Sequence, residues 1–239
     1  MFERAHHNRI FRALHLLNAP LLQATSTYFA GGTAIVLLCK EYRESVDMDF
    51  LCADPLGYRQ LRHVVTDRNL GSILTQPVDV INFSADDYGI RCFLMIDEQP
   101  IKFEIVKEDR ITLSGSTENS FPVPVLSRAD MYTEKLLANA DRGLDTSTLS
   151  RDMIDLAMMI MHWGDIPAEA LEKATAARGY GSAITRSFNA AWCLMNQRDQ
   201  AHLRKSLDRM SMDEELCLRI LETLKSSQLH ESNPAPENR

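Results

Sequence analysis

The pattern of apolar and polar positions changes near residue 125 and predicts a different structure on each side. Between residues 27 and 125, short runs typical of β-strands alternate with helical stretches, one of which starts at Pro55. The strand patterns cover residues 27–30, 46–51, 90–96 and 101–106. The last two runs predict a β-hairpin with a four-residue connection.

Beyond the extended Pro122–Pro124 segment the strand patterns stop and helical periodicity takes over. Ser127 and Asp130 are suitable caps for the first helix. Further helical patterns cover residues 149–163, 167–178, 182–197, 200–210 and 213–226, before a polar tail from Ser227 that we expect to be frayed. The sequence therefore predicts an α+β fold, with a mixed-sheet domain over residues 1–125 and an all-helical domain over residues 126–239.

Composition and charge narrow the class of protein. The 239 residues are 45% hydrophobic and carry a formal charge of −7, and no apolar run approaches the roughly 18 to 20 residues of a membrane span. The five cysteines form no Cys-x-x-Cys pair and no secretory signal is evident, so we expect a cytoplasmic protein without a disulfide framework. Residues 1–68 hold eight Lys/Arg against seven Asp/Glu, and this part is better suited to a polyanion than the acidic remainder.

Gly31-Gly32 stands between a predicted strand and a predicted helix. Glycine lets the backbone approach a ligand closely, and the amides at a helix start are donors to phosphate oxygens. Such turns are also common without any ligand, so the pair alone leaves an ordinary turn open.

Asp47 and Asp49 add the candidate chemistry. Residues i and i+2 of a strand point to the same face, so two carboxylates would lie side by side and repel each other unless a cation were between them. Mg²⁺ commonly takes one or two carboxylates and completes its octahedron with substrate phosphates. The alternative is an exposed strand edge that carries charges against aggregation.

Glu104 is the candidate for a third carboxylate, because an acid in the apolar run 101–106 is costly without a partner. Its alternative is a solvent-facing position beside Lys102.

These residues resemble those of a known family. Gly31-Gly32-Thr33-Ala34, then Arg43-x-Ser45-x-Asp47-x-Asp49-Phe50, then Glu134-Lys135-Leu136-Leu137-Ala138 and Arg151-Asp152-x-x-Asp155-Leu156, are similar to motifs of the AbiEii/AbiGii nucleotidyltransferase toxins. That family belongs to the DNA polymerase β-like superfamily, and the resemblance covers about Phe29 to Ile160. It implies a nucleotidyltransferase-type mixed sheet followed by a helical domain that completes the active-site cleft. Members are toxins of type IV toxin–antitoxin or abortive-infection systems, and some transfer nucleotides to the 3′ end of tRNA.

The resemblance implies roles for the first block of residues. The triphosphate would be held by Gly31, Gly32, Thr33 and Ser45. Mg²⁺ or Mn²⁺ would be bound by Asp47 and Asp49, with Glu104 in a third acidic position that is often Asp in the family.

It also implies roles for two helical residues. Lys135 would contact nucleotide phosphate, and Asp152 would pair with Lys135 or orient it, a role for which Asp155 could compete. Without the first block, a solvated helix face at Glu134 and Lys135 and an i,i+4 pair between Arg151 and Asp155 would be the preferred interpretation. The histidines at four positions lack metal-ligand spacing and are expected at the surface or in the core: His6, His7, His15 and His63.

The combined expectation is a metal-dependent nucleotidyltransferase that uses Asp47, Asp49, Lys135 and Asp152 to move a nucleoside monophosphate from an NTP to an acceptor hydroxyl. By family analogy the acceptor is RNA, a tRNA 3′ end, and the protein is a growth-inhibiting toxin with a cognate antitoxin and no membrane partner. Protein or small-molecule hydroxyls are alternative acceptors, which the overall acidity slightly favours. A non-catalytic interaction module is a further alternative, against which the crowded acid pair counts.

Overall fold

The computed structural model describes residues 2–66, 68–227 and 229. The chain forms two compact units, Met1–Met131 and Tyr132–Arg239. The first is built on a mixed seven-stranded sheet and the second on helices. The expected α+β class is thus confirmed.

The strands of the first unit are β1 (Thr27–Ala30), β2 (Met48–Cys52), β3 (Val80–Ala85), β4 (Gly89–Ile96), β5 (Gln99–Lys107), β6 (Gly115–Ser116) and β7 (Val125–Leu126). Their order across the sheet is β3-β4-β5-β2-β1-β7-β6. β2 is central, antiparallel to β1 and parallel to β5. Asp49 therefore has two register partners, Ala30 on β1 and Glu104 on β5.

One face of this sheet is the core. Phe50 lies between Phe29 and Phe103, with ring centroids 5.4 and 5.6 Å apart, and all three side chains are fully buried. Because side chains alternate along a strand, Asp49 and Glu104 lie on the opposite, half-buried face.

The helices that begin in this unit are α1 (Ala5–Leu14), α2 (Ala19–Ala24), α3 (Gly31–Leu38), α4 (Pro55–Val64) and α5 (Arg128–Arg142). Neither α1, α2 nor β3 was expected from the sequence pattern. For α1 a local signal was present, since His7, Ile10 and Leu14 follow helical spacing and are all buried.

The second unit continues with α6 (Arg151–Trp163), α7 (Ala168–Ala176), α8 (Ala183–Met195), α9 (Ala201–Arg209) and α10 (Leu216–Ser226). Each matches a predicted helical range to within a few residues. The helix expected from residue 149 begins at Arg151, because Leu149 and Ser150 adopt left-handed backbone angles, with φ of 59° and 50°. The predicted frayed tail lies, apart from Ser227 and Leu229, outside the described residues.

Two strand predictions need correction. The strand expected over residues 46–51 begins at Met48, so Asp47 precedes β2 rather than lying in it. The β4–β5 connection has two residues, Asp97 and Glu98, rather than four. Both have positive φ (51° and 61°), as in the tight turns whose twist suits paired strands, and this lets the ladder continue to Ile96 and Gln99.

Within the described part of the chain, every helix is too short or too polar to cross a bilayer.

Candidate active site

The junction of β1 and α3 places a helix start beside an acid. Gly31 opens α3 with a φ of +70°, and a Cβ atom there would lie 2.7 Å from Oδ2 of Asp49. The N-cap residue of α3, Ala30, has no side chain that can cap the first-turn amides. Because the first amides of a helix lack partners within it, those of α3 are oriented to receive an anion.

The acidic residues near the β1–α3 junction lie close to a lysine. Asp49 lies on β2 beside Glu104 on β5, and Asp47 immediately precedes β2. Burial lowers the pKa of Lys102, but its hydrogen bond to Glu104 and the charges of Glu104, Asp47 and Asp49 raise that pKa above the usual value. Lys102 is therefore a fixed cation within the field of the acidic residues.

Glu104 is held by two cations. Arg91 Nε donates to Oε1 at 2.5 Å and Lys102 Nζ donates to Oε2 at 3.0 Å. Burial raises the pKa of Glu104, but the hydrogen bonds and charges of Lys102 and Arg91 lower it by more. The pKa of Glu104 is therefore below its usual value. The partner expected for a buried acid is thus provided by two side chains, of which Arg91 was not anticipated.

Among residues 2–66, 68–227 and 229, no group of three or more His, Cys, Asp or Glu side chains is arranged to hold a metal ion. Asp47, Asp49 and Glu104 are therefore not assembled as a three-ligand site. A site with two aspartates and substrate phosphates remains compatible with this geometry, since Mg²⁺ often takes only one or two carboxylates.

Ser45 and Thr33 connect the two sides of the site. The Ser45 and Thr33 hydroxyls are 2.7 Å apart, which joins the segment before Asp47 to the first turn of α3. The Ser45 amide also donates to Nε2 of His7 on α1, at 3.2 Å. His7 was not expected to have any role in the site.

In the second unit, Lys135 on α5 lies between two carboxylates of α6. Its Nζ is 2.9 Å from Asp152 Oδ1 and 2.7 Å from Asp155 Oδ2, so both acids bind the lysine. Arg142 adds two bonds to Asp152, at 2.7 and 3.0 Å. Burial alone would raise the pKa of Asp152, but Lys135 and Arg142 hold it well below its usual range.

This arrangement resolves one local ambiguity. Lys135 is not part of a solvated helix face, because its side chain is 8% exposed. Arg142 was missed by sequence reasoning, although it lies seven residues after Lys135 and thus on the same side of α5. The structure groups Lys135 with Asp152 in the second unit, and Gly31, Thr33, Ser45, Asp49 and Glu104 in the first.

Residues 15–230 match the family model for the AbiEii nucleotidyl transferase toxins of type IV toxin–antitoxin systems. The chain belongs to this family. The match extends well beyond Ile160, where the recognisable motifs ended. Family membership makes the protein a nucleotidyltransferase and supports a toxin role with an NTP substrate and a cognate antitoxin. No curated protein sequence matches the chain.

Solved structures with a similar fold share little sequence. A candidate nucleotidyltransferase from H. pylori has a TM-score of 0.52 and 16% identity, covering 97% of this chain and 96% of the other. JHP933 from Helicobacter pylori has a TM-score of 0.48 and 17% identity over 97% and 94% of the two chains. An antigenic nucleotidyltransferase-like protein from Paracoccidioides brasiliensis has a TM-score of 0.44 and 15% identity over 92% and 94%. At 16% sequence identity, the first of these structures supports the fold of this chain and no functional role.

Proposed function

We propose that this family member transfers a nucleoside monophosphate from an NTP to an RNA hydroxyl, that of a tRNA 3′ end, and releases pyrophosphate. Mg²⁺ or Mn²⁺ is the proposed cofactor, and the transfer would inhibit growth. The observation that carries the proposal is the contact between the first residue of α3 and Asp49. The amides that would bind phosphate and the carboxylate that would bind a metal then lie side by side.

Asp47 and Asp49 are the proposed metal ligands. Their hard oxygen atoms suit Mg²⁺, and the missing Cβ of Gly31 lets the Asp49 carboxylate lie directly against the start of α3. Glu104 joins them as a ligand only if Arg91 or Lys102 releases one of its oxygens. The bound metal would neutralise phosphate charge and activate the acceptor hydroxyl.

The remaining groups bind and orient the substrate. The amides of Gly31, Gly32 and Thr33 would bind triphosphate oxygens, and Ser45 would add a hydroxyl donor from the facing segment. These donors are fixed before the reaction, so they stabilise developing charge without reorganising.

Lys135 retains the proposed role of a phosphate-binding cation, with Asp152 as its positioning residue. The ion pairs of Lys135 Nζ with Asp152 and Asp155 support this assignment, because a flexible lysine needs such partners to hold one position.

A basic cavity in the first unit supports a polyanionic acceptor. Its volume is about 640 Å³, and it is lined by Pro55, Tyr58, Arg59, Arg62, His63, Asp87 and Lys107. Arginine and lysine side chains neutralise phosphates, which is the main source of affinity for nucleic acids.

Labelled transfer tests the proposal. The protein is incubated with each labelled NTP, Mg²⁺ and, in separate reactions, total RNA, cell protein or small-molecule extract. We expect label in RNA, lost in Asp49→Asn and kept in Asp79→Asn, which makes the same charge change at an exposed position. Label in protein or small molecules would replace the RNA acceptor, and no label in any fraction would contradict nucleotidyl transfer.

A further inference from the structure

We infer that His7 is a positioning residue for nucleotidyl transfer, acting through its hydrogen bond to the backbone of Ser45. The inference rests on the proposed function, because it concerns the segment that leads into Asp47. Residues 42–47 lie outside any helix or strand, so the position of this segment depends on side-chain contacts.

The imidazole of His7 has one usable tautomer. Its Nε2 accepts the Ser45 amide hydrogen at 3.2 Å, so Nε2 itself carries no proton. The proton is therefore on Nδ1, which donates to Oε1 of Glu41 at 2.7 Å. Both ring nitrogens are used, and the side chain is fully buried.

Glu41 fixes the ring from the other side. Its carboxylate also accepts the backbone amides of Glu3 at 2.6 Å and Arg4 at 3.1 Å, at the start of α1. Burial raises the pKa of Glu41, but these amides and His7 lower it overall, which keeps the acceptor ionised. Because Glu41 lies in the segment that follows α3, its bonds to Glu3, Arg4 and His7 join that segment to α1.

A second histidine holds the next residue. Arg9 Nη1 is 3.4 Å from Nδ1 of His6, which leaves Nε2 to donate to the Val46 carbonyl oxygen at 3.1 Å. His7 thus accepts a hydrogen bond from Ser45, and His6 donates one to the neighbouring Val46. Val46 directly precedes Asp47.

The contacts form a continuous path to the proposed phosphate site. Glu41 orients His7, His7 holds the Ser45 amide, and the Ser45 hydroxyl meets Thr33 in the first turn of α3. An apolar residue at position 7 would fill the same core without a desolvation cost. The ring nitrogens of His7 instead bind Glu41 and the backbone of Ser45, two residues before Asp47.

Protonation provides a distinctive readout. Burial lowers the pKa of His7, the bond and charge of Glu41 oppose this, and the charges of Arg4 and His6 lower it further. A proton on Nε2 would face the Ser45 N–H, so acid should break the bond to Ser45. We therefore expect an acid limb in the pH profile of kcat/KM that depends on His7.

The experiment compares His7→Leu, His7→Gln and His15→Leu. Leu removes the acceptor, Gln can restore an acceptor near the Nε2 position, and His15 is an exposed residue at the end of the same helix. The measurements are the amide-exchange protection of Ser45, the Kd for NTP with Mg²⁺, and kcat and KM for labelled transfer.

We expect His7→Leu to lose about tenfold in Ser45 protection, as one backbone hydrogen bond predicts, and at least tenfold in kcat/KM. His7→Gln should recover most of the Ser45 protection and most of kcat/KM, and its pH profile should lack the acid limb. His15→Leu should match the wild type in all measurements. Wild-type Ser45 exchange and kinetics in folded His7→Leu would overturn the inference, as would equal losses in His7→Leu and His15→Leu.

Two further outcomes are distinguishable. If His7→Leu does not fold, His7→Gln decides the matter, since an unchanged acid limb in that variant would overturn the inference. If the wild type neither binds NTP nor transfers label, the proposed function fails. The Ser45 exchange measurement then still shows whether His7 holds the segment.

Discussion

Gly31 and Asp49 lie so close that a Cβ atom on the glycine would be 2.7 Å from the aspartate Oδ2. The approach follows from the sheet, because Ala30 and Asp49 are register partners on β1 and β2 and the chain turns into α3 one residue later. A helix start and a carboxylate are thus held together by strand pairing rather than by a flexible loop.

Gly31→Ala should impair both fold and activity. The left-handed φ of +70° costs an L residue about 1–2 kcal/mol, and the new methyl group would displace Asp49. Such a displacement should lower labelled transfer by about 100-fold. Urea unfolding and initial rates measure the two effects.

Gly179→Ala is the matched control. Gly179 has a φ of +90° and nothing within 4 Å of a built Cβ, so it should show the backbone cost alone and keep full activity. Equal rates for the two alanine variants would show that the close approach of Asp49 to Gly31 is not needed.

Asp152→Asn should destabilise the second unit. The change leaves Asp155 as the remaining carboxylate partner of Lys135 and removes the charge partner of Arg142, whose side chain is 41% exposed, so we expect a cost of about 1–3 kcal/mol. Asp165→Asn, an exposed change of the same type, should stay within about 0.5 kcal/mol of the wild type by urea unfolding.

The same pair should act as a unit in transfer. We expect Lys135→Ala and Asp152→Ala each to lose at least about 100-fold in rate, and the double variant to be scarcely slower than either. Initial rates of the four proteins measure this coupling. Fully additive losses would show that Asp152 does not act through Lys135, and near-wild-type rates would exclude both from the reaction.

Stability should fall as the pH drops below about 6.5, the ordinary histidine value. Burial lowers the pKa of both His7 and His202 in the folded chain. Just below the ordinary histidine pKa, the unfolded chain therefore binds more protons than the folded chain does. Their contribution is complete above the unfolded pKa and is lost as the pH falls through the folded pKa, at up to about 1.4 kcal/mol per pH unit for each histidine. Urea unfolding at pH 7.5 and 5.5 measures this slope, which should be shallower in His7→Gln. An unchanged slope would show that His7 titrates normally.

Glu98→Gly should stabilise the β4–β5 hairpin. Glu98 is exposed with a φ of 61°, a left-handed conformation that costs free energy for an L residue and not for glycine. Part of the stability gained is lost again, because glycine makes the unfolded chain more flexible. The expected net gain is about 0.5–1 kcal/mol by urea unfolding, with Glu98→Ala, which keeps the penalty, near zero. A gain in the alanine variant of the same size would refute the backbone explanation.

The sequence alone was sufficient for features with a local signal. The β1–Gly31 junction, the strand that carries Asp49 and the helices from α5 onward follow from alternation, glycine and proline positions and helical periodicity, which act over a few residues. Even the hairpin was predictable, although its turn length was not, because the two residues of positive φ are Asp and Glu rather than Asn and Gly.

Tertiary structure decided which side chains meet. Glu104 is bound by Arg91 because antiparallel register places them opposite each other on β4 and β5, and it lies beside Asp49 because β2 and β5 pair in parallel. His7 reaches Ser45 across 38 residues only because α1 folds onto the segment that follows α3. Such contacts depend on strand register and helix placement, which are set by the packing of distant apolar faces, so no pattern within a short stretch of sequence determines them.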